Sequence, residues 1–121
     1  MPEVIVKTTA GLIPNSTKRE FATILQDAMA KTLSIPGTPA ELRPDEVEVD
    51  FQEFGQFAAT NGFECAITVT ANLYPERDGK ADEYAGRLEE LIRGPFPVRN
   101  ARFYVWVNLV QGGFREGRPK R

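Results

Sequence analysis

Between Asp45 and Gln52 the chain alternates without a break. Val47, Val49 and Phe51 take every second position, and Glu48, Asp50 and Gln52 fill those between. Successive side chains of a β-strand point to opposite faces, so this spacing predicts a strand with one apolar and one polar face. The same period returns twice. Phe63, Cys65, Ile67, Val69 and Ala71 alternate with Glu64, Ala66, Thr68, Thr70 and Asn72, and Phe103, Val105, Val107 and Leu109 alternate with Arg102, Tyr104, Trp106 and Asn108. A β-branched run, Val4-Ile5-Val6 with Thr8 and Thr9, predicts one more strand near the N-terminus. Strands patterned this way must cover one face, and two stretches of helical period supply the cover.

The first of these begins at Thr17-Lys18-Arg19-Glu20, which fits a capping box, and continues with Phe21, Ile24, Leu25, Ala28 and Met29 at three- and four-residue spacing. Pro36-Gly37-Thr38-Pro39 ends it. The second carries Ala81, Tyr84, Ala85, Leu88, Leu91 and Ile92 and stops at Gly94-Pro95. Turn chemistry separates the elements at Ala10-Gly11-Leu12-Ile13-Pro14-Asn15 and at Tyr74-Pro75-Glu76-Arg77-Asp78-Gly79. The expected architecture is α+β: two consecutive β-α-β units, residues 1–60 and 61–110, forming a four-stranded sheet with two helices on one face, then a Gly-rich basic tail over 111–121. With 121 residues and 41% hydrophobic content, one domain around one core is expected. The other sheet face then displays Glu48, Asp50, Thr68, Thr70, Arg102, Tyr104, Trp106 and Asn108. Large amphipathic aromatics on such a surface point to oligomerisation.

Composition narrows the chemistry. The chain has no histidine, which excludes Ser/His/Asp and Cys/His catalysis and imidazole metal ligation. Cys65 is the one cysteine, so no intramolecular disulfide or thiolate cluster forms, and its place on an apolar strand face makes it core. Net charge is −2, and Arg115, Arg118, Lys120 and Arg121 gather in the tail, leaving an acidic body unsuited to nucleic acid. No apolar run is long enough to span a membrane and no signal-peptide pattern opens the chain, so a soluble protein, cytoplasmic by default, is expected. Gly112-Gly113-Phe114-Arg115-Glu116-Gly117 lacks the Lys-Ser/Thr ending of a phosphate loop and is expected to be a hairpin or subunit-contacting tail.

Acid–base work must then fall to a carboxylate, Tyr, Lys or the terminal amine. Removal of Met1 would leave Pro2 as a secondary amine on a strand. A free α-amine has a pKa of about 7.7–8.0, and an apolar pocket lowers it, giving a general base near neutral pH. With Met1 retained, the Pro2 nitrogen is a tertiary amide without a basic lone pair.

Met1-Pro2 leading into Val4-Ile5-Val6, the doubled strand–helix–strand layout and Ala101-Arg102-Phe103-Tyr104-Val105-Trp106 together make the chain resemble the tautomerase superfamily over nearly its whole length. That superfamily includes oxalocrotonate tautomerase, carboxymethyl-hydroxymuconate isomerase, macrophage migration inhibitory factor and malonate semialdehyde decarboxylase. The resemblance implies a homotrimer, no cofactor, and catalytic Pro2 at the base of a pocket between subunits, acting on a small carboxylate-bearing keto or enol acid. It also implies Tyr104 as donor to an enolate oxygen, and Asp45 as the acidic residue that orients water or substrate, with Glu48 or Asp50 suited to a hydratase-like role. The short members carry an arginine after the first strand's glycine, whereas Leu12 follows Gly11 here. Carboxylate binding therefore passes to Arg77, in a turn that resembles the decarboxylase branch, or to Arg43, each of which also reads as a solvated loop arginine. Trp106, where the inhibitory-factor branch has a polar residue, is expected to pack the interface or wall the pocket. Two function classes stay open: a tautomerase/isomerase, or a related hydratase, dehalogenase or decarboxylase; and a catalytically silent trimer acting as a binding protein.

Overall fold

A computed structural model of the chain describes residues 2–55, 61–112 and 115–120. Six main elements run in the order β1 (Glu3–Thr8), α1 (Asn15–Leu33), β2 (Glu48–Glu53), β3 (Cys65–Asn72), α2 (Ala81–Arg93) and β4 (Phe103–Val110). The strands form one mixed sheet in the order β2-β1-β3-β4, parallel within each β-α-β unit and antiparallel where β1 meets β3. The fold is α+β, with two helices packed on one face of a four-stranded sheet, as the periodicities predict.

Alternation decides which side of each strand meets the helices. Val4 and Val6 of β1 and Ile67 and Val69 of β3 are buried beneath Phe21, Leu25, Met29 and Leu33 of α1 and Leu88 and Ile92 of α2. The open face carries three cross-strand rows: Glu48, Glu3, Thr70 and Asn108; Asp50, Ile5, Thr68 and Trp106; Gln52, Lys7, Ala66 and Tyr104. On that face Trp106 is 60% and Tyr104 40% exposed.

One helix boundary differs from expectation, and another falls where Gly94-Pro95 predicts. Helix α1 begins at Asn15, preceded by Pro14 at the cap position with no side-chain cap. Thr17 therefore lies inside the first turn, where its hydroxyl donates to the Pro14 carbonyl at 2.9 Å instead of capping. At the end of α2, Gly94 keeps a helical backbone at φ −66°, and Pro95, which has no N–H to donate, stops the ladder. Before β3, Gly62 takes φ +85°, a conformation that favours glycine; a Cβ there would meet Arg102 Nη1 at 2.8 Å, the end of a flexible side chain that can move aside. Residues 111–112 and 115–120 form no helix or strand, while Gly113, Phe114 and Arg121 of the predicted tail, and Met1, lie outside the described residues.

Cys65 is fully buried, and burial raises its thiol from 9.0 to about 12 because an apolar surround disfavours the thiolate. Native protein is therefore expected to resist alkylation at pH 8 and to be labelled once unfolded. Rapid labelling of native protein would contradict this placement. The folded pKa is the raised one, so the stability linked to Cys65 is constant below pH 9.0 and declines as pH climbs from 9.0 toward about 12.

Candidate active site

Because β1 and β2 run together and β3 runs against them, one end of the sheet gathers the starts of β1 and β2 and the end of β3. Pro2 lies there, half-buried, and its carbonyl accepts a hydrogen bond from the Glu48 N–H at 3.0 Å. By the alternation of β1 it shares the helix-covered side with Val4 and Val6. The loop before β2 and the turn after β3 arrive at the same end, carrying three of the other predicted site residues.

Arg43 caps a one-turn helix at Pro44–Glu46, and Asp45 lies within it. Both are exposed, at 71% and 75% of the side chain, and Arg43 Nε lies 3.5 Å from Asp45 Oδ1 and 3.6 Å from Glu46 Oε1. The Arg43 N–H also donates to Glu46 Oε1 at 2.8 Å. Exposed pairs of this kind contribute little, about 0–1 kcal/mol, so an incoming carboxylate can replace them at Arg43. Glu48 and Asp50 are exposed on the open face, where Asp50 accepts from Gln52 Nε2 at 3.0 Å. A residue outside the predicted set also acts here. Gln26 of α1, on the flank of the stripe formed by Leu25 and Met29, donates Nε2 to the Val47 carbonyl at 3.0 Å and so holds the start of β2.

Arg77 is not a solvated loop arginine. It closes a one-turn helix at Pro75–Arg77 and is 2% exposed. Nη1 donates to the Asn72 carbonyl at 3.0 Å and Nη2 to the Ala40 carbonyl at 3.2 Å, with the guanidinium 5.2 Å from the centre of the Tyr74 ring. Nε is buried without a partner. Desolvation lowers the arginine's pKa, opposed by the nearby Tyr84, Tyr74 and Glu76, and burial raises that of Tyr84.

Tyr104 and Trp106 lie elsewhere. Strand β4 runs antiparallel to β1, so Tyr104 is level with Lys7, and Trp106 with Ile5, on the open face. Ordinary strand spacings put Tyr104 roughly 19 Å and Trp106 roughly 14 Å from Pro2. Tyr104 packs edge-on against Phe63 at 5.2 Å, and Arg102 lies 4.5 Å over the same ring. Trp106 donates Nε1 to Asn108 Oδ1 at 2.7 Å and walls a cleft of about 390 Å³ with Ala81, Asp82, Ala85, Val105 and Val107. The predicted residues thus fall into two groups: Pro2, Arg43, Asp45 and Arg77 at one end, Tyr104 and Trp106 toward the other. A single chain does not bring them together. Among the described residues, no cluster of three or more His, Cys, Asp or Glu is placed to hold a metal, and no helix is long and apolar enough to cross a membrane.

No protein-family model and no curated protein matches the chain. Solved structures do match it in fold. The macrophage migration inhibitory factor-like protein of Entamoeba histolytica superposes with a TM-score of 0.60 at 13% identity, covering 94% of this chain and 95% of that one. A fused 4-OT asymmetric trimer gives a TM-score of 0.63 at 14% identity over 90% of this chain and 86% of that one. A 5-carboxymethyl-2-hydroxymuconate delta-isomerase gives 0.58 at 12% identity, covering all of this chain and 89% of the other. At such identities the likeness is one of fold.

Proposed function

We propose, from the tautomerase-superfamily fold that this chain has, that it is a cofactor-free tautomerase/isomerase of a small keto or enol acid, with the amine of Pro2 as general base once Met1 is removed. The observation that carries this reading is the position of Pro2 at the head of the inner strand β1, half-buried and tied through its carbonyl to Glu48. Strand pairing fixes such an amine in direction, and its partial burial favours the neutral, basic form.

In ketonisation the amine takes the proton of the enol hydroxyl, negative charge develops on that oxygen, and the resulting ammonium delivers the proton to a carbon of the enolate, leaving the ketone and the free amine. Arg43 is the candidate for neutralising the substrate's carboxylate, since Arg77 is buried with both Nη groups occupied, and Asp45 is the candidate for orienting it. A second copy of the chain supplies Tyr104 to the enolate oxygen and Trp106 to the pocket wall, in a homotrimer whose sites lie between subunits. Support for shared sites comes from the two separated residue groups and from the exposed aromatics of the open face. A cytoplasmic home suits the single reduced thiol at Cys65.

The test begins with intact mass, which should be one Met lighter than the full chain. Ketonisation of the enol form of phenylpyruvate or of 2-hydroxymuconate is then followed directly. A processed protein that turns over neither, yet binds such acids, would move the assignment to a binding protein of the same fold. Assembly is checked separately. At micromolar concentration sedimentation should give a trimer, and Trp106→Asp should shift it to smaller species, since truncating a central interface aromatic typically costs about 2 kcal/mol or more. A wild-type monomer would remove the shared-site reading.

A further inference from the structure

We propose that Arg77 is a positioning residue of this site: it locks the loop that carries Arg43 and Asp45 against the end of β3 and acts through that loop, without touching substrate. The loop between α1 and β2 is organised mainly by its own hydrogen bonds. The Gly37 N–H donates to Glu41 Oε1 at 3.0 Å, the Ala40 N–H to Thr38 Oγ1 at 3.1 Å and the Leu42 N–H to Ser34 Oγ at 2.8 Å. The Ile35 N–H closes it on the Ala40 carbonyl at 3.3 Å. The loop's Ala40, Leu42 and Val47 are buried and Gln26 holds its end at Val47, but none of these hydrogen bonds ties it to the second β-α-β unit. Arg77 supplies that link: one arm of its fork reaches Ala40, 37 positions earlier, and the other reaches Asn72 at the end of β3. Among the described residues it is the one side chain whose hydrogen bonds join this loop to the second β-α-β unit.

The choice of residue follows from the geometry. Two carbonyls on different segments need two donors held at a fixed separation, which a planar guanidinium provides and a single ammonium does not. A buried cation carries a desolvation penalty, and among the described residues no carboxylate pairs with Arg77. The fork is therefore retained for what it orders. Both Nη groups are occupied and 98% of the residue is withdrawn from solvent, as its 2% exposure implies, so a substrate carboxylate meets Arg43 first.

The kinetic half of the test rests on the reading proposed above, and the exchange half does not. In wild-type protein under native-state hydrogen exchange, the amides of Ala40 and Leu42 are expected to open together with those of Arg77 and Lys80. Arg77→Met should raise exchange at Ala40 and Leu42 about tenfold or more, the size expected on losing hydrogen bonds from a charged donor, with Leu88 and Ile92 of α2 unchanged. Arg77→Lys, which keeps the charge but not the fork, should loosen the same loop. With a turned-over keto acid, the Michaelis constant of the Arg43→Ala, Arg77→Met double variant should equal that of Arg43→Ala alone. Independent opening of loop and turn in wild-type protein overturns the proposal even if no Arg77 variant folds. So does an Arg77→Met protein whose loop stays protected while its effect on the Michaelis constant adds to that of Arg43→Ala.

Discussion

Replacing Pro2 by Ala should lower kcat/KM for ketonisation of a keto or enol acid by about 10²–10⁴-fold, the usual consequence of removing a positioned general base. The variant still ends in an amine, but a primary one without the ring that fixes its direction. Retaining Met1 should be at least as damaging, because the proline nitrogen becomes an amide with no lone pair to offer. Neither change removes a core side chain, so folded content by circular dichroism should match the wild type. In the processed protein the rate should rise with pH as the amine loses its proton and then level off, and that limb should vanish when Met1 stays. Full activity in Pro2→Ala, or activity in material whose intact mass includes Met1, would transfer the base to a carboxylate such as Asp45 or Glu48. Histidine cannot inherit the role, since the chain has none.

The largest effect on stability should come from Phe21→Ala, at about 3–5 kcal/mol. Phe21 is 1% exposed on the buried stripe of α1. Its ring meets Phe96 edge-on at 5.4 Å and Phe51 of β2 at 6.4 Å, and Phe96 in turn stacks on Phe103 of β4 at 4.7 Å and 8°. One side chain thus joins a helix, one edge strand directly and the other edge strand through the segment after α2. Removing it leaves a void bounded by rings on separate elements, which cannot collapse together without moving the sheet edges. Against a total stability of about 5–15 kcal/mol, the loss should show as a large fall in the urea midpoint with the slope unchanged. A change below about 1 kcal/mol would mean that the aromatic cluster is not the joint described here.

The layered architecture was legible in the sequence because periodicity is a local property. Val47, Val49 and Phe51 face the helices for the same reason that Glu48 and Asp50 do not: consecutive strand residues point to opposite sides wherever the strand is later paired. The stripe through Phe21, Leu25 and Met29 announced α1 in the same way. Helix ends were less legible. Thr17-Lys18-Arg19-Glu20 satisfies a capping pattern, yet the chain turns at Pro14 and carries Thr17 inside the helix, where its hydroxyl donates to the Pro14 carbonyl.

What the sequence by itself determined was which residues are strand, which are helix and which side each presents, together with the absence of imidazole chemistry. Tertiary structure decided who meets whom. The running direction of β4 set Tyr104 and Trp106 away from Pro2, on the open face, although the resemblance implied one site for all three. Pairing across 37 positions turned Arg77 from a surface arginine into a buried tie between Ala40 and Asn72. The physical reason is that side-chain orientation follows from neighbours along the chain, whereas partners follow from strand order and register, which depend on which apolar faces can be buried together.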